Sequence, residues 1–265
     1  MFIGMICVLL FLLLLIPGIH IFIVFFVSGF VVTAIVMGID PAIAMLGQTL
    51  YHGMFTYTYA VLPLFILMGS FAARAGFAKD AFDVAYAWMG RIPGSIGVAT
   101  CWANAAFGAV SGSSLAAAAV FGRVAYPEMK RLRYDKSFAL GCIASAGTFA
   151  AMIPPSGVLI ILAIITDQSI GTLFMAGIVP GIVTAAVYSL SIIYRANRNP
   201  LLAPSSEEAP RLTFSQKLRL TWKLWPIILL ATVVLGGIYS GVFTAVEAAA
   251  AGTFLTFIIG IFRGS

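Results

Sequence analysis

Residues 95–124 read Ser95-Ile-Gly-Val-Ala-Thr-Cys-Trp-Ala-Asn-Ala-Ala-Phe-Gly-Ala-Val-Ser111-Gly-Ser-Ser114-Leu-Ala-Ala-Ala-Ala-Val-Phe-Gly-Arg-Val124. The stretch is mostly apolar, yet Ser111-Gly112-Ser113-Ser114 interrupts its middle. Each half is about 15 residues, and at 1.5 Å per residue neither crosses a bilayer core of about 30 Å. Basic residues mark both outer ends: Arg91 before, then Arg123 and Lys130, Arg131, Arg133 and Lys136 after. Two half-helices that enter and leave on one side, with a polar turn between them, make a re-entrant hairpin. Such backbone is tolerated at membrane depth only where protein buries it or it lines a wet cavity.

Composition makes the membrane the solvent. Of 265 residues, 62% are hydrophobic and 9% charged, and the mean hydropathy is +1.07. A water-facing surface needs about a quarter of its residues charged. Long unbroken apolar runs, rather than short alternating ones, choose helices over a barrel. The net charge of +6 does not argue for nucleic acid as a partner. The basic residues fall in two clusters flanking apolar segments, the second being Arg195, Arg198, Arg211, Lys217, Arg219 and Lys223. That is how Lys and Arg distribute in cytoplasmic loops. Cys7, Cys101 and Cys142 lie singly in apolar segments, so no disulfide framework or transition-metal site is expected.

Outward from the hairpin, the chain divides at its breaks. Residues 1–39 hold no charge apart from His20, enough for two helices, with Pro17-Gly18 as the break. No basic stretch precedes this run, so a cleaved signal peptide is not expected. Asp40-Pro41 is the expected cap of a short interfacial helix, and a further span runs from Thr56 to Ala73. Residues 1–75 are thus expected to form scaffold helices, and 76–92 an amphipathic arm along the membrane surface. Residues 93–128 form the hairpin. Residues 137–166 carry no charge in thirty positions, too long for one straight span. Gly147-Thr148 and Pro154-Pro155-Ser156 are both expected to interrupt them, prolines by removing backbone donors. A span follows within 167–194. Next comes a hydrophilic cytoplasmic linker with an amphipathic helix, 195–224, containing Ser205, Ser206, Glu207 and Glu208. Two more spans lie in 225–265. Placing the basic clusters inside puts the N-terminus outside.

The segment Leu15–Ile39 is weakly echoed by Leu235–Phe262 with opposite direction, as in the inverted repeats of secondary transporters. Half-helix ends present unpaired N–H and C=O groups, and serine hydroxyls add oxygens. Oxygens without a carboxylate suit a monovalent cation such as Na⁺, while helix N-termini suit an anionic substrate. The other reading of the same Ser and Gly residues is tight helix packing; two interrupted apolar segments in succession favour transport.

Gly108-Ala-Val-Ser-Gly-Ser-Ser114, Pro127-Glu-Met-Lys-Arg-Leu-Arg-Tyr-Asp-Lys136 and Gly147-Thr-Phe-Ala-Ala-Met-Ile-Pro-Pro-Ser156 follow one another in order. Thr166-Asp-Gln-Ser-Ile-Gly171, Ala176-Gly-Ile-Val-Pro-Gly181 and Phe243-Thr-Ala-Val-Glu-Ala-Ala-Ala250 continue the series. Together they resemble the large permease subunit (DctM) of tripartite ATP-independent periplasmic (TRAP) transporters. The resemblance implies an all-α integral membrane protein of the elevator-type ion-transporter superfamily, with inverted repeats. It implies sodium-coupled import of an organic acid such as a C4-dicarboxylate or sialic acid, delivered by a periplasmic solute-binding protein, with a small membrane subunit alongside. Na⁺ would be the coupling ion, with no other cofactor, in the bacterial inner membrane.

By residue, Ser111, Gly112, Ser113 and Ser114 match the first hairpin tip, and Gly147, Thr148 and Pro154 join them as sodium candidates. Ser114, Pro155, Ser156 and Asn104 are the substrate candidates. Asn104 equally reads as a hydrogen bond between helices. Family members carry a second hairpin and a second broken helix after the Phe-Thr-x-x-Glu-Ala-Ala segment, and this sequence stops at Ser265 before either. That implies a first repeat complete and a second partial, in a truncated or split chain or one that a partner chain completes. The alternatives are a truncated, non-transporting structural subunit, or a proton-coupled transporter of the same superfamily.

Other polar residues have plainer readings. Thr244-Ala-Val-Glu247 fits a capping box better than an intramembrane ion site. His20 and His52 lack ligand spacing and suit capping or interface roles. Trp88, Trp102, Trp222 and Trp225 suit interfacial anchoring. Gly-Ala-Val-Ser-Gly does not match the Gly-x-Ser-x-Gly of a nucleophile elbow, so no enzyme is expected.

Overall fold

With no water in a bilayer core to satisfy the backbone, apolar segments must coil into helices, and among its described residues the computed structural model consists of helices and the turns between them, with no strand. The described residues are 2–55, 57–90, 92–204 and 212–264. Thr56, Arg91, residues 205–211 and Ser265, named above as span start, flanking charge, linker and chain end, lie outside them. Contacts divide the chain into two units, Met1–Tyr59 and Ala60–Ser265.

The first unit holds α1 (Phe2–Leu15), α2 (Ile21–Met37) and α3 (Ile39–Phe55). Pro17-Gly18 breaks α1 from α2 as expected, Gly18 taking φ +76°, and Phe11 meets Phe25 across the turn at 4.8 Å. At 14 and 17 residues, both helices fall short of the roughly 20 residues of a straight span. His20 occupies the cap position of α2 but makes no side-chain cap bond. The expected cap at Asp40 is corrected. Gly38 turns the chain with φ +90° and its carbonyl accepts from Ala42 N–H at 3.2 Å. Asp40 therefore lies inside the first turn of α3. Pro41 still costs nothing there, because N–H groups of the first turn have no intrahelical partner.

The boundary falls within a 3₁₀ turn, Tyr57–Ala60, and the second unit continues with α4 (Val61–Arg74), α5 (Phe77–Met89), α6 (Ser95–Ser111) and α7 (Ser114–Arg131). Then come α8 (Lys136–Ala150), α9 (Gly157–Ile165) and α10 (Ile170–Arg198). Helix α6 is its centre: thirteen of its seventeen residues are buried, with α4, α5, α7, α8 and α10 packed around it. The small residues of α6, Gly97, Ala99, Cys101, Ala103 and Gly108 among them, let these backbones come close. The amphipathic arm α5 turns its apolar face, Phe77, Ala78, Ala81, Phe82, Val84 and Ala87, into protein.

The C-terminal part contains α11 (Phe214–Thr221), a 3₁₀ turn Trp222–Leu224, α12 (Trp225–Ala231), a π-turn Thr232–Gly236, α13 (Gly237–Tyr239) and α14 (Ala245–Phe262). Helix α11 lies within the stretch expected to hold an amphipathic helix, and residues 214–239 form one uninterrupted helical run. Pro226 is the second residue of α12, within its first turn, where a missing N–H costs little, so it does not end the run. Trp88 is more than a membrane anchor. Its indole N–H donates to Thr221 Oγ1 at 2.8 Å, and Lys217 lies 5.8 Å over its ring, holding α11 to the arm. Burial raises the Asp83 carboxyl above its ordinary value, opposed by Lys223 and Lys79.

Helix α14 packs along α4, where Thr253 Oγ1 donates to Leu64 O at 2.8 Å. Arg263 closes that end, pairing with Asp80, donating to Ala75 O and lying over Phe77. Among the described residues four helical segments are long and apolar enough to cross a membrane: Tyr57–Arg74, Ile170–Arg198, Phe214–Tyr239 and Ala245–Phe262. Neither α6 nor α7 is one of them.

Candidate functional site

Ser111 ends α6, and Gly112 reverses the chain with φ +57°, its N–H closing on Gly108 O at 3.0 Å. Ser113 then caps α7, its hydroxyl accepting from Ala116 N–H at 3.3 Å. Phe107 and Phe121 meet edge-on behind the turn, 5.9 Å apart. The tip is thus a two-residue turn, with the C-terminus of α6 and the N-terminus of α7 side by side.

The second element is a single break, 151–156, between α8 and α9. The expected interruption at Gly147-Thr148 is corrected, since both lie within α8. A glycine inside a helix costs about 1 kcal/mol against alanine, but here it makes room. A Cβ on Gly147 would stand 3.1 Å from Ser114 O and 3.2 Å from the Ala118 methyl. Thr148 faces away, exposed, with its hydroxyl donating to Ser145 O at 2.7 Å. At the break, Pro154, Pro155 and Ser156 are buried. Ser156 caps α9 by accepting from Leu159 N–H at 3.4 Å, and its own hydroxyl donates to Ala151 O.

Tip and break meet. Gly157 N–H donates to Gly112 O at 3.3 Å, and a Cβ on Gly112 would lie 2.4 Å from Pro155 O. One on Gly108 would lie 2.9 Å from the Ala150 backbone. Two helix C-termini, α6 and α8, and two N-termini, α7 and α9, therefore converge. Partial negative charge on the carbonyls suits a cation, and the N–H ends suit an anion. No carboxylate belongs to the tip or the break.

Among the described residues three buried oxygens on α6 lack a partner: Ser95 Oγ at its far end, and Asn104 Oδ1 and Ser111 Oγ toward the tip. Asn104 is fully buried. Its amide donates to Thr100 O at 3.0 Å, while its Oδ1 has no partner. Ser111 Oγ is likewise buried without a partner. Asn104, Gly108 and Ser111 recur at i, i+4 and i+7, one face of α6. Buried polar atoms are normally paired, which makes these two oxygens candidates for a ligand. Ser111, Gly112, Ser113, Ser114, Gly147, Pro154, Pro155 and Ser156 are thus brought together, and Thr148 is not. Sequence reasoning passed over Gly69, whose added Cβ would lie 2.9 Å from Ser111 Cα; a lone glycine in the apolar helix α4 was the available signal. Glu247 is the cap its spacing indicated: its carboxylate accepts from Thr244 N–H at 2.8 Å, and Thr244 Oγ1 accepts from Glu247 N–H at 3.3 Å.

The family model described as Tripartite ATP-independent periplasmic transporter, DctM component, matches residues 7–265. The chain belongs to this family. DctM components are membrane transport proteins, not enzymes. Curated relatives include the C4-dicarboxylate TRAP transporter large permease protein DctM of Pseudomonas aeruginosa, 36% identical over 209 residues, 78% of this chain and 47% of the relative. The protein of the same description from Rhodobacter capsulatus is 34% identical over 229 residues, 80% of this chain and 50% of the relative. The sialic acid TRAP transporter large permease protein SiaM of Vibrio cholerae is 29% identical, covering 80% and 49%. The chain spans about half the length of the curated DctM relatives it matches.

Proposed function

We propose that this chain supplies the first half of the ion and substrate site of a sodium-coupled importer of an organic acid. The observation that supports it most is the pair of unpartnered buried oxygens, Asn104 Oδ1 and Ser111 Oγ, beside a junction where four helix ends converge without a carboxylate. Ser111–Ser114, Gly147 and Pro154 border the Na⁺ position through carbonyl and hydroxyl oxygens. Ser114, Pro155, Ser156 and Asn104 border the substrate carboxylate, which the N-termini of α7 and α9 favour. Thr148, facing outward, contributes through the rest of α8 or not at all.

On this reading residues 1–75 are scaffold, 76–92 the arm, and 93–166 the moving transport part in an elevator mechanism. Residues 225–265 begin an inverted second repeat; a left-handed glycine in each turn, Gly18 and Gly241, supports the pairing. The N-terminus is periplasmic, the protein sits in the inner membrane, and a small membrane subunit and a periplasmic binding protein complete the assembly. The relatives' substrates, C4-dicarboxylate and sialic acid, set the class, a carboxylate.

Uptake into liposomes carrying the complete transport system tests it. Replacing external Na⁺ by choline should abolish uptake, and Asn104→Leu should lower it at least tenfold with the protein still folded. Uptake unchanged in choline would establish proton coupling instead, and uptake indifferent to Asn104→Leu and Ser111→Ala would make this half structural.

A further inference from the structure

At the open end of the hairpin, away from its tip, α8 and α10 part to leave a cleft of about 560 Å³. Asp135, Ser137, Tyr188, Ser191 and Arg195 line it. The Arg195 guanidinium lies 5.1 Å over the Phe138 ring, and among the described residues it has no hydrogen-bond or ion-pair partner. The acid in the cleft, Asp135, makes no ion pair with Arg195; its Oδ1 accepts from Phe138 N–H at 2.8 Å as the cap of α8. Lys136, the first residue of α8, and Arg198, in the last turn of α10, add positive charge at the same end.

Position along α10 gives the cleft a second property. Tyr188, Ser191 and Arg195 form a polar stripe at i, i+3 and i+7. One residue back, Val187, Leu190 and Tyr194 form a parallel stripe, each well over half exposed. A guanidinium with no hydrogen-bond or ion-pair partner among the described residues, beside an exposed apolar stripe at the end of a membrane-spanning helix, fits a molecule with an anionic head and a hydrocarbon tail. We propose that this cleft binds an anionic phospholipid, its phosphate on Arg195 and the serine hydroxyls, its acyl chain along Val187, Leu190 and Tyr194. A planar fork of donors suits phosphate oxygens in pairs, and basic pockets between spanning helices at the cytoplasmic face take such headgroups.

Native mass spectrometry of the full chain, offered phosphatidylglycerol and phosphatidylcholine in equal amounts, reads the proposal. A basic residue near an anionic headgroup favours it about fivefold, so the wild type should retain phosphatidylglycerol over phosphatidylcholine by about that ratio. Arg195→Gln should bring the ratio to about one and Arg195→Lys should keep part of it, both variants being checked for monodispersity. Equal retention by the wild type, which needs no variant to fold, overturns the proposal, as does an unchanged ratio in folded Arg195→Gln. Soluble glycerol phosphate should fail to displace the lipid; displacement at equal concentration would assign the cleft to a soluble phosphate and overturn the lipid reading.

Discussion

Gly112 carries the tightest constraint at the level of single residues. Its φ of +57° is costly for any L side chain, about 1 kcal/mol or more, and a Cβ there would overlap Pro155 O at 2.4 Å. Gly157, across the same hydrogen bond, has nothing nearer than 4.0 Å to an added Cβ. Thermal unfolding in detergent should therefore separate two like substitutions: Gly112→Ala loses about 2 kcal/mol or more, and Gly157→Ala leaves stability within about 0.5 kcal/mol. Equal effects would mean that the tip does not press on the break. The Ser-Gly-Ser-Ser pattern made the turn legible in the sequence, because serine caps and glycine permits positive φ. Gly147 was misread for a physical reason. A helix tolerates glycine where another backbone must approach, and nothing local in the sequence separates that use from a break.

Between elements, caps and latches decide the arrangement. The Thr244–Glu247 box satisfies donors at the start of α14 that lipid leaves unanswered, so Thr244→Ala should cost about 1 kcal/mol of stability. Glu247→Gln should leave sodium-dependent uptake in place; its loss in a folded variant would reinstate Glu247 as an ion site. The arm is latched at both ends, to α14 by Arg263–Asp80 and to α11 by Trp88–Thr221. Thr221→Val should weaken the second latch by about 1 kcal/mol, which hydrogen exchange within α11 would register as faster exchange. The amphipathic pattern foretold a helix within 76–92, and α5 occupies Phe77–Met89 of it. That its apolar face meets α6 was not legible, because periodicity reports a buried face and never its partner.

Across the molecule, composition alone sufficed for the class: too few charges for a water-facing surface, hence helices in lipid. The order of motifs sufficed for the family. What no periodicity could supply is that residues 111–114 and 151–157, some forty positions apart, meet through a direct hydrogen bond from Gly157 to Gly112. That meeting turns two polar breaks into one candidate ion site, and the second repeat would supply the rest. Hydrogen–deuterium exchange of the reconstituted transporter, compared in NaCl and choline chloride, tests this most directly. Occupied by Na⁺, the peptides covering 111–117 and 152–160 should exchange at least tenfold more slowly, and Ser111→Ala should remove the difference. Identical exchange in the two salts, with the hairpin folded in both, would contradict it.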